Sequence, residues 1–176
     1  MKQKSIKMNF IMNTILTISG FIFPLITFPY ITRILLPEGT GRVNFAISLI
    51  NYFVMFAMLG IPTYGIRVCA QVRDDKEKLT RTAHELLLIN LFMCVVSYGL
   101  LAGALAFIPR LYEDRLLYIV ASSTILLTAI GMEWLFKALE QYTYITVCSM
   151  IFKLIAVIAM FLLVHQKSDY IIYGAI

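Results

Sequence analysis

One lysine stands inside a long apolar run, and its type and position carry the most specific chemistry in the chain. Residues 141–164 hold no other charge, and Lys153 lies near the middle of them. If this run crosses a membrane, placing an ammonium group at its middle costs roughly 2.5–3.5 kcal/mol on insertion scales. Three interpretations stay open: a cation in a polar cavity that attracts an anionic substrate, an ion pair with Glu133, or both in turn.

Polar and small side chains recur at helical spacing in two other apolar runs. Such groups are costly against lipid, so each stripe should face other helices or a cavity. Packing and cavity lining both remain open, because small and polar residues also form ordinary contacts between membrane helices. The stripes are Asn9, Asn13, Thr17, Gly20, Pro24 and Thr27 in the first run, and Asn44, Ser48 and Asn51 in the second.

Two pairs of glycine and proline predict hinges. Gly20 and Pro24 should bend the first helix, because proline removes a backbone hydrogen bond. Gly60 and Pro62 should break or kink the second. Bent helices are where transporters place gates and binding sites. The segment 37–41, rich in glycine, is interpreted as a tight turn between the first two helices.

The sequence contains no recognisable motif for catalysis or metal binding. Cys69, Cys94 and Cys148 lie far apart, and neither His84 nor His165 has a second ligand at metal spacing. No nucleotide-binding or nucleophile-elbow motif occurs. We therefore expect no enzyme activity, no metal and no cofactor.

The composition shows which elements must position these side chains. Of the 176 residues, 60% are hydrophobic and 14% are charged, and the mean hydropathy is +0.83. A soluble domain carries about 25% charged residues, so this chain cannot cover a water-facing surface of its size. Disorder is excluded by the high hydrophobicity. A polytopic membrane protein is what remains.

Long apolar runs predict an all-α bundle of transmembrane helices that occupies residues 1–176. A span needs about 20 apolar residues, which gives five complete helices and the start of a sixth. The loops between them should be short, and the longest, about 67–85, should hold a short helix near Asp75. The predicted helices cover 8–32, 43–66, 84–109, 116–137, 142–164 and, in part, 170–176.

Basic residues predict the orientation. Nine of the fifteen lie before the first helix, between the second and third, or between the fourth and fifth. The positive-inside rule places these segments, and with them Lys2–Lys7 at the N-terminus, in the cytoplasm.

Five segments together resemble the Wzx-type flippases of lipid-linked oligosaccharides, which are O-antigen and polysaccharide transporters. This family belongs to the superfamily that includes the multidrug and toxin exporters. The resemblance covers essentially the whole chain and rests on the order of the motifs. They are FPLITFPYITRIL (23–35) leading into PEG (37–39), LGIPTYGIR (59–67), RDDKEKL (73–79), EWLFKALE (133–140) and YTYIT (142–146).

The resemblance implies transport without chemistry on the substrate. An undecaprenyl-diphosphate-linked oligosaccharide would be turned from the cytoplasmic to the periplasmic leaflet of the bacterial inner membrane. Its partners would be this substrate, membrane lipid and other polysaccharide-assembly proteins, with no nucleic acid. In this interpretation Lys153, Arg33, Asn13 and Asn51 line the lumen, with an interfacial role equally open for Arg33. Glu133 is the ion-coupling candidate, with pairing to Lys137 as the alternative.

The resemblance also has departures. Leu36 stands where many members have glycine, Val68 where an acidic residue is expected, and Cys148 where a basic residue is common. The family has two six-helix lobes, so the chain corresponds to a MATE-like N-terminal lobe whose sixth helix is cut short. The alternatives are a multidrug exporter, which would need an acidic residue in the first helix, and a truncated fragment that transports nothing.

Overall fold

Helices make up the fold of the part of the chain that the computed structural model describes, residues 6–176. A single turn of 3₁₀ helix, Lys167–Asp169, precedes the last of them. The α-helices are α1 (Ile6–Met58), α2 (Ile61–Gln71), α3 (Lys76–Phe107), α4 (Pro109–Tyr112), α5 (Arg115–Gly131), α6 (Glu133–Ala138), α7 (Tyr142–Leu163) and α8 (Tyr170–Ala175).

Within residues 6–176, four stretches of helix are long and apolar enough to cross a membrane: Lys7–Gln71, Lys76–Phe107, Arg115–Ala138 and Tyr142–Leu163. Large apolar side chains point outward along them, as Phe10 does with 72% of its surface exposed. Water would disfavour such a surface, whereas lipid does not. The predicted all-α transmembrane bundle is therefore confirmed, and the chain is a multi-pass membrane protein.

The first helix is broken at Leu36. This residue has φ 58° and ψ 174° inside a stretch of 53 residues that is otherwise helical. A straight helix of that length would measure about 80 Å, far more than the roughly 30 Å of a hydrocarbon core. The segments 6–35 and 37–58 are each long enough to span. The prediction of a turn over 37–41 is wrong, because Pro37 begins the next helical segment, where proline is favoured.

Two other predicted helices are each divided by a break in the backbone. The break at Gly60 and Pro62 is present: α1 ends at Met58 and α2 begins at Ile61, so the predicted helix 43–66 is two helices. A second break, at Met132 (φ 43°), divides the predicted helix 116–137.

The predicted loop 67–85 is mostly helix. Asp75 caps the N-terminus of α3 by accepting hydrogen bonds from the backbone N–H groups of Glu77 (3.2 Å) and Lys78 (3.1 Å). The helix therefore starts at Lys76 rather than at residue 84. An acidic cap satisfies the free N–H groups of a first turn, so charged residues there extend the helix instead of ending it.

The helices form two compact units. One comprises the residues up to 44 together with Glu140–Ile176, and the other is Phe45–Leu139. In the first, Ile31, Leu35, Met160 and Val164 are nearly fully buried against one another. Apolar clusters in the second include one whose buried members are Ile50, Ala57, Cys94, Leu101, Ala121, Ile125 and Ala129. Another has the buried members Ile61, Cys69, Ala83, Leu86, Trp134 and Ala138.

Leu36 stores strain that a single substitution should release. Its backbone conformation is open essentially to glycine alone and costs an ordinary residue roughly 1–3 kcal/mol. Leu36→Gly should raise the free energy of unfolding by about 1 kcal/mol after the greater unfolded-state entropy of glycine is subtracted. Reversible unfolding in mixed micelles measures the change.

The matched control is Leu35→Gly. Leu35 is helical and 2% exposed. Leu35→Gly should therefore have the opposite effect and lower the free energy of unfolding by about 2–5 kcal/mol. Equal destabilisation by the two glycines would contradict the assignment of strain to Leu36.

Candidate functional site

The first segment of α1 and helix α7 meet along a polar seam. The Thr146 hydroxyl donates to the Met12 carbonyl at 3.0 Å, the Lys153 ammonium donates to Ser19 Oγ at 2.7 Å, and the Tyr30 hydroxyl donates to the Val164 carbonyl at 3.0 Å. In each pair the two residues are 134 positions apart. A constant offset means that the two helices run parallel and in register.

The parallel direction agrees with the number of predicted crossings. Along the sequence, three segments separate the two seam helices: 37–58, Lys76–Phe107 and Arg115–Ala138. If each segment crosses the membrane once, the direction reverses at each, and α7 must run the same way as the start of α1. The hydrogen bonds of the seam show this direction without any reference to charge.

Lys153 lies at the middle of the seam. It is eleven residues from Tyr142 and ten from Leu163, which places it about 15 Å from either end of α7. Half the thickness of a hydrocarbon core is about the same distance. Ser19 is similarly central in the segment 6–35, so both members of the pair lie at mid-depth.

Neutral groups surround the Lys153 ammonium. Ser19, only 4% exposed, accepts a hydrogen bond from the ammonium and in turn donates one to the Leu16 carbonyl at 2.7 Å. The ring of Phe23, one turn further along α1, has its centroid 5.8 Å from Nζ. Among residues 6–176, no carboxylate forms an ion pair with Lys153. An ammonium has three donors, so the site can offer charge and hydrogen bonds to an anion.

The predicted polar stripe of the first helix is a different face from the seam. Asn13, Thr17, Gly20 and Pro24 are exposed, and a Cβ added at Gly20 would have no neighbour within 4 Å. Asn51 is likewise exposed, together with Asn44 and Ser48 on its face. In the first stripe Asn9 is buried and Thr27 is half-buried, whereas its other members and those of the second stripe are exposed. Most of each stripe therefore stays available for contact with something else.

The remaining lumen and hinge candidates are not gathered around Lys153. Arg33 is exposed near the end of its helical segment. The helix continues through Gly20 and Pro24, and its non-helical residue is Leu36. Of the predicted substrate contacts, the structure gives only Lys153 a polar side-chain partner in the described seam.

Ser19 is the site residue that the sequence reasoning missed. It lies off the predicted polar stripe, and its partner is 134 residues away. A signal does exist, because Ser19 and Lys153 each stand at the centre of an apolar run. Pairing the two runs in parallel at their centres would have brought them together.

Glu133 forms its ion pair with Lys137, one helical turn away, at 2.8 Å. Its side chain is 58% exposed. Both residues line a cleft of 370 Å³ whose walls include Met58, Pro62 and Leu127. The arrangement matches the interfacial alternative for Glu133, in which it pairs on its own helix.

Metal-binding clusters of three or more histidine, cysteine or acidic residues do not occur in residues 6–176. The three cysteines are free thiols, with Cys69 and Cys94 buried. The groups that the seam presents are a positive charge, hydroxyl groups and an aromatic face.

The described chain matches known proteins along its whole length. Residues 6–176 match the family described as Polysaccharide biosynthesis protein. A relative from Escherichia coli (strain K12), named "Putative O-antigen transporter", is 26% identical over 172 residues, covering 98% of this chain and 41% of that protein. A protein of the same name from Shigella dysenteriae is 26% identical over 154 residues, covering 86% of this chain and 38% of its own length.

The chain thus spans about two fifths of the length of these curated relatives. No solved structure matches it significantly.

Proposed function

We propose, since the chain belongs to the polysaccharide biosynthesis protein family, that it forms part of a transporter for lipid-linked oligosaccharides. The substrate would be an undecaprenyl-diphosphate-linked repeat unit, moved from the cytoplasmic to the periplasmic leaflet of a bacterial inner membrane. The observation that carries the proposal is the Lys153 ammonium at mid-depth with a neutral hydrogen-bond partner.

Lys153 with a neutral hydrogen-bond partner can bind a transient anion more readily than a lysine that is held in an ion pair. A buried carboxylate would neutralise Lys153 and compete with the diphosphate. Ser19 instead lowers the cost of holding the ammonium while leaving its charge in place. A phosphate oxygen that reaches Nζ would gain a charge-assisted hydrogen bond, and the lipid tail would stay in the bilayer.

The charge of the first segment favours an anionic substrate over a cationic drug. Residues 8–32 contain no acidic side chain, whereas capture of a cation would call for one. The exposed amides of Asn13 and Asn51 supply donors and acceptors for sugar hydroxyls, and Arg33 a second positive charge. Rocking at Gly20, Pro24, Gly60 and Pro62 would alternate access to such a lumen.

The orientation in this proposal has the N-terminus in the cytoplasm. Lys2 and Lys4 lie outside the described residues, while Lys7 and the basic residues of α2 and α3 lie within them. The excess of basic residues at this end supports a cytoplasmic location.

Lys153→Ala should strongly reduce export of surface polysaccharide in cells that depend on this transporter. The expected loss is about tenfold or more, corresponding to roughly 1.4 kcal/mol or more of anion binding. Lys153→Arg should retain most export because it keeps the charge. Gel analysis of surface polysaccharide measures export, and immunoblotting of membranes measures protein level.

Lys137→Ala is the matched control, since it removes a lysine that is paired near a helix end. It should leave export near normal. Normal polysaccharide from Lys153→Ala at normal protein level would exclude a required charge at this position.

The proposal has two versions that differ in the role of Glu133, and Glu133→Gln distinguishes them. If it exchanges protons during transport, Glu133→Gln should abolish the dependence of transport on external pH while the protein still inserts. If it only pairs with Lys137, Glu133→Gln should cost about 0.3–0.5 kcal/mol or less of stability and leave transport unchanged. The exposed pair at 2.8 Å supports the second version. Proteoliposome transport at two pH values measures the difference, and a flat pH response in the variant alone would overturn our preference.

A further inference from the structure

Two short helices, α2 and α6, pack against each other as a matched pair. The buried residues of α2 are Ile61, Gly65 and Cys69, spaced one turn apart. Those of α6 are Trp134 and Ala138, also one turn apart. The two sets belong to one apolar cluster, so each helix buries a single stripe against the other.

The contact between Gly65 and Trp134 fixes the fit of this pair. A Cβ added to Gly65 would stand 2.6 Å from Trp134 Cε3, a distance that carbon atoms do not tolerate. The indole ring, 2% exposed, therefore lies directly on the backbone of α2. Close-packed shapes of this kind move together rather than deform.

Left-handed residues flank the pair where it joins the long helices. Leu59 (φ 34°) and Gly60 (φ 74°) precede α2, and Met132 (φ 43°) precedes α6. The Leu59 N–H still donates to the Met55 carbonyl at 3.1 Å, and the Gly60 carbonyl accepts from the Tyr64 N–H at 3.1 Å. The left-handed conformations nevertheless end the regular helical geometry at these residues, so α2 and α6 are not straight continuations of α1 and α5. Hinges consist of a few element-terminal residues of this type.

A cleft of 370 Å³ lies at the root of these hinges. Met58 and Gly131, the last residues of α1 and α5, line it together with Pro62 and Ile66 of α2 and Lys137 of α6. Part of the boundary between the long helices and the short pair is thus open space rather than packed side chains. Rotation about the hinges would change the width of this space.

The long helices of this unit are tied by directional bonds. Ser97 Oγ donates to the Phe53 carbonyl at 2.8 Å, and the Tyr98 hydroxyl donates to the Ser122 carbonyl at 2.7 Å. The pair instead meets α3 through the apolar side chains of Ala83 and Leu86. Apolar contacts permit small sliding motions that hydrogen bonds resist.

Two buried polar side chains lack partners where the two regions adjoin. Trp134 Nε1 has no hydrogen-bond acceptor, and both side-chain polar atoms of Asn90 are without partners. Asn90 is 0% exposed and lies on the face of α3 between Leu86, which packs on the pair, and Cys94, which packs with the long helices. Unpaired buried polar groups penalise the state that contains them.

We propose that α2 and α6 form one rigid gate that rotates about Leu59–Gly60 and Met132, opening and closing the cleft. The described arrangement is one of its two states. In the second state the Trp134 indole N–H gains an acceptor. This inference rests on the packing and hinges of Phe45–Leu139 and holds whether or not the transported molecule is a lipid-linked oligosaccharide.

Pulsed electron spin resonance on the full chain in lipid nanodiscs tests the gate. Spin labels at Gln71, Lys137 and Ile119 mark α2, α6 and α5 in turn. Both distances to Ile119 should split into two populations in the same proportion, while the distance between Gln71 and Lys137 stays single. Single distances to Ile119 would overturn the hinge, and a split distance between Gln71 and Lys137 would overturn the rigid pair.

Two substitutions sharpen this test. Trp134→Phe keeps an aromatic ring and removes the part of the indole that carries the unpaired N–H, so the populations should shift toward the described state. Unchanged populations would refute the role of the indole. Gly65→Ala should force α2 and α6 apart. The two distances to Ile119 should then no longer show their two populations in the same proportion. Its control is Gly99→Ala, where an added Cβ has no neighbour within 4 Å, and where the coupled splitting should persist. Persistent coupling in Gly65→Ala would also overturn the rigid pair.

Discussion

A positive charge held at the middle of the membrane by a neutral hydroxyl is the interaction on which the rest depends. Placing Lys153 inside an apolar helix costs roughly 2.5–3.5 kcal/mol, and a polar partner lowers this cost. Ser19 provides that partner at 2.7 Å, and it can do so only if α1 and α7 run side by side at the same depth. The hydrogen bond of one side chain is therefore tied to one pairing and one register of the two helices.

The other bonds of the seam follow from this register. Thr146 and Tyr30 reach backbone carbonyls at the same offset as Lys153 and Ser19, so the two helices meet along their whole shared length. The seam uses one face of the first helix and leaves the polar stripe with Asn13 exposed. One helix can thus carry a structural face and a separate face for another partner, which is what our proposed lumen requires.

The sequence predicts the membrane helices well because their signal is local. Apolar runs near 20 residues leave few alternatives, and Gly60 and Pro62 mark a break that is present. The break at Leu36 was placed slightly too late, because glycine and proline over 37–41 resemble a turn whereas a leucine at positive φ leaves no signature in composition. The sequence predicts a short helix near Asp75 but not that this helix continues as α3, because the charged residues that follow suggest a loop although Asp75 is a good cap. Ser19 was missed because its partner depends on how two distant helices align, which one chain's periodicity does not specify.

Direct binding of an anionic lipid tests the central claim, that the Lys153 charge recognises a diphosphate. The purified chain in nanodiscs should bind undecaprenyl diphosphate in preference to the uncharged alcohol of the same tail, as measured by native mass spectrometry. We predict that Lys153→Met removes most of this preference, by about tenfold, or roughly 1.4 kcal/mol, and that Lys153→Arg keeps it. An equal preference for the diphosphate in the wild type and in Lys153→Met would contradict the account.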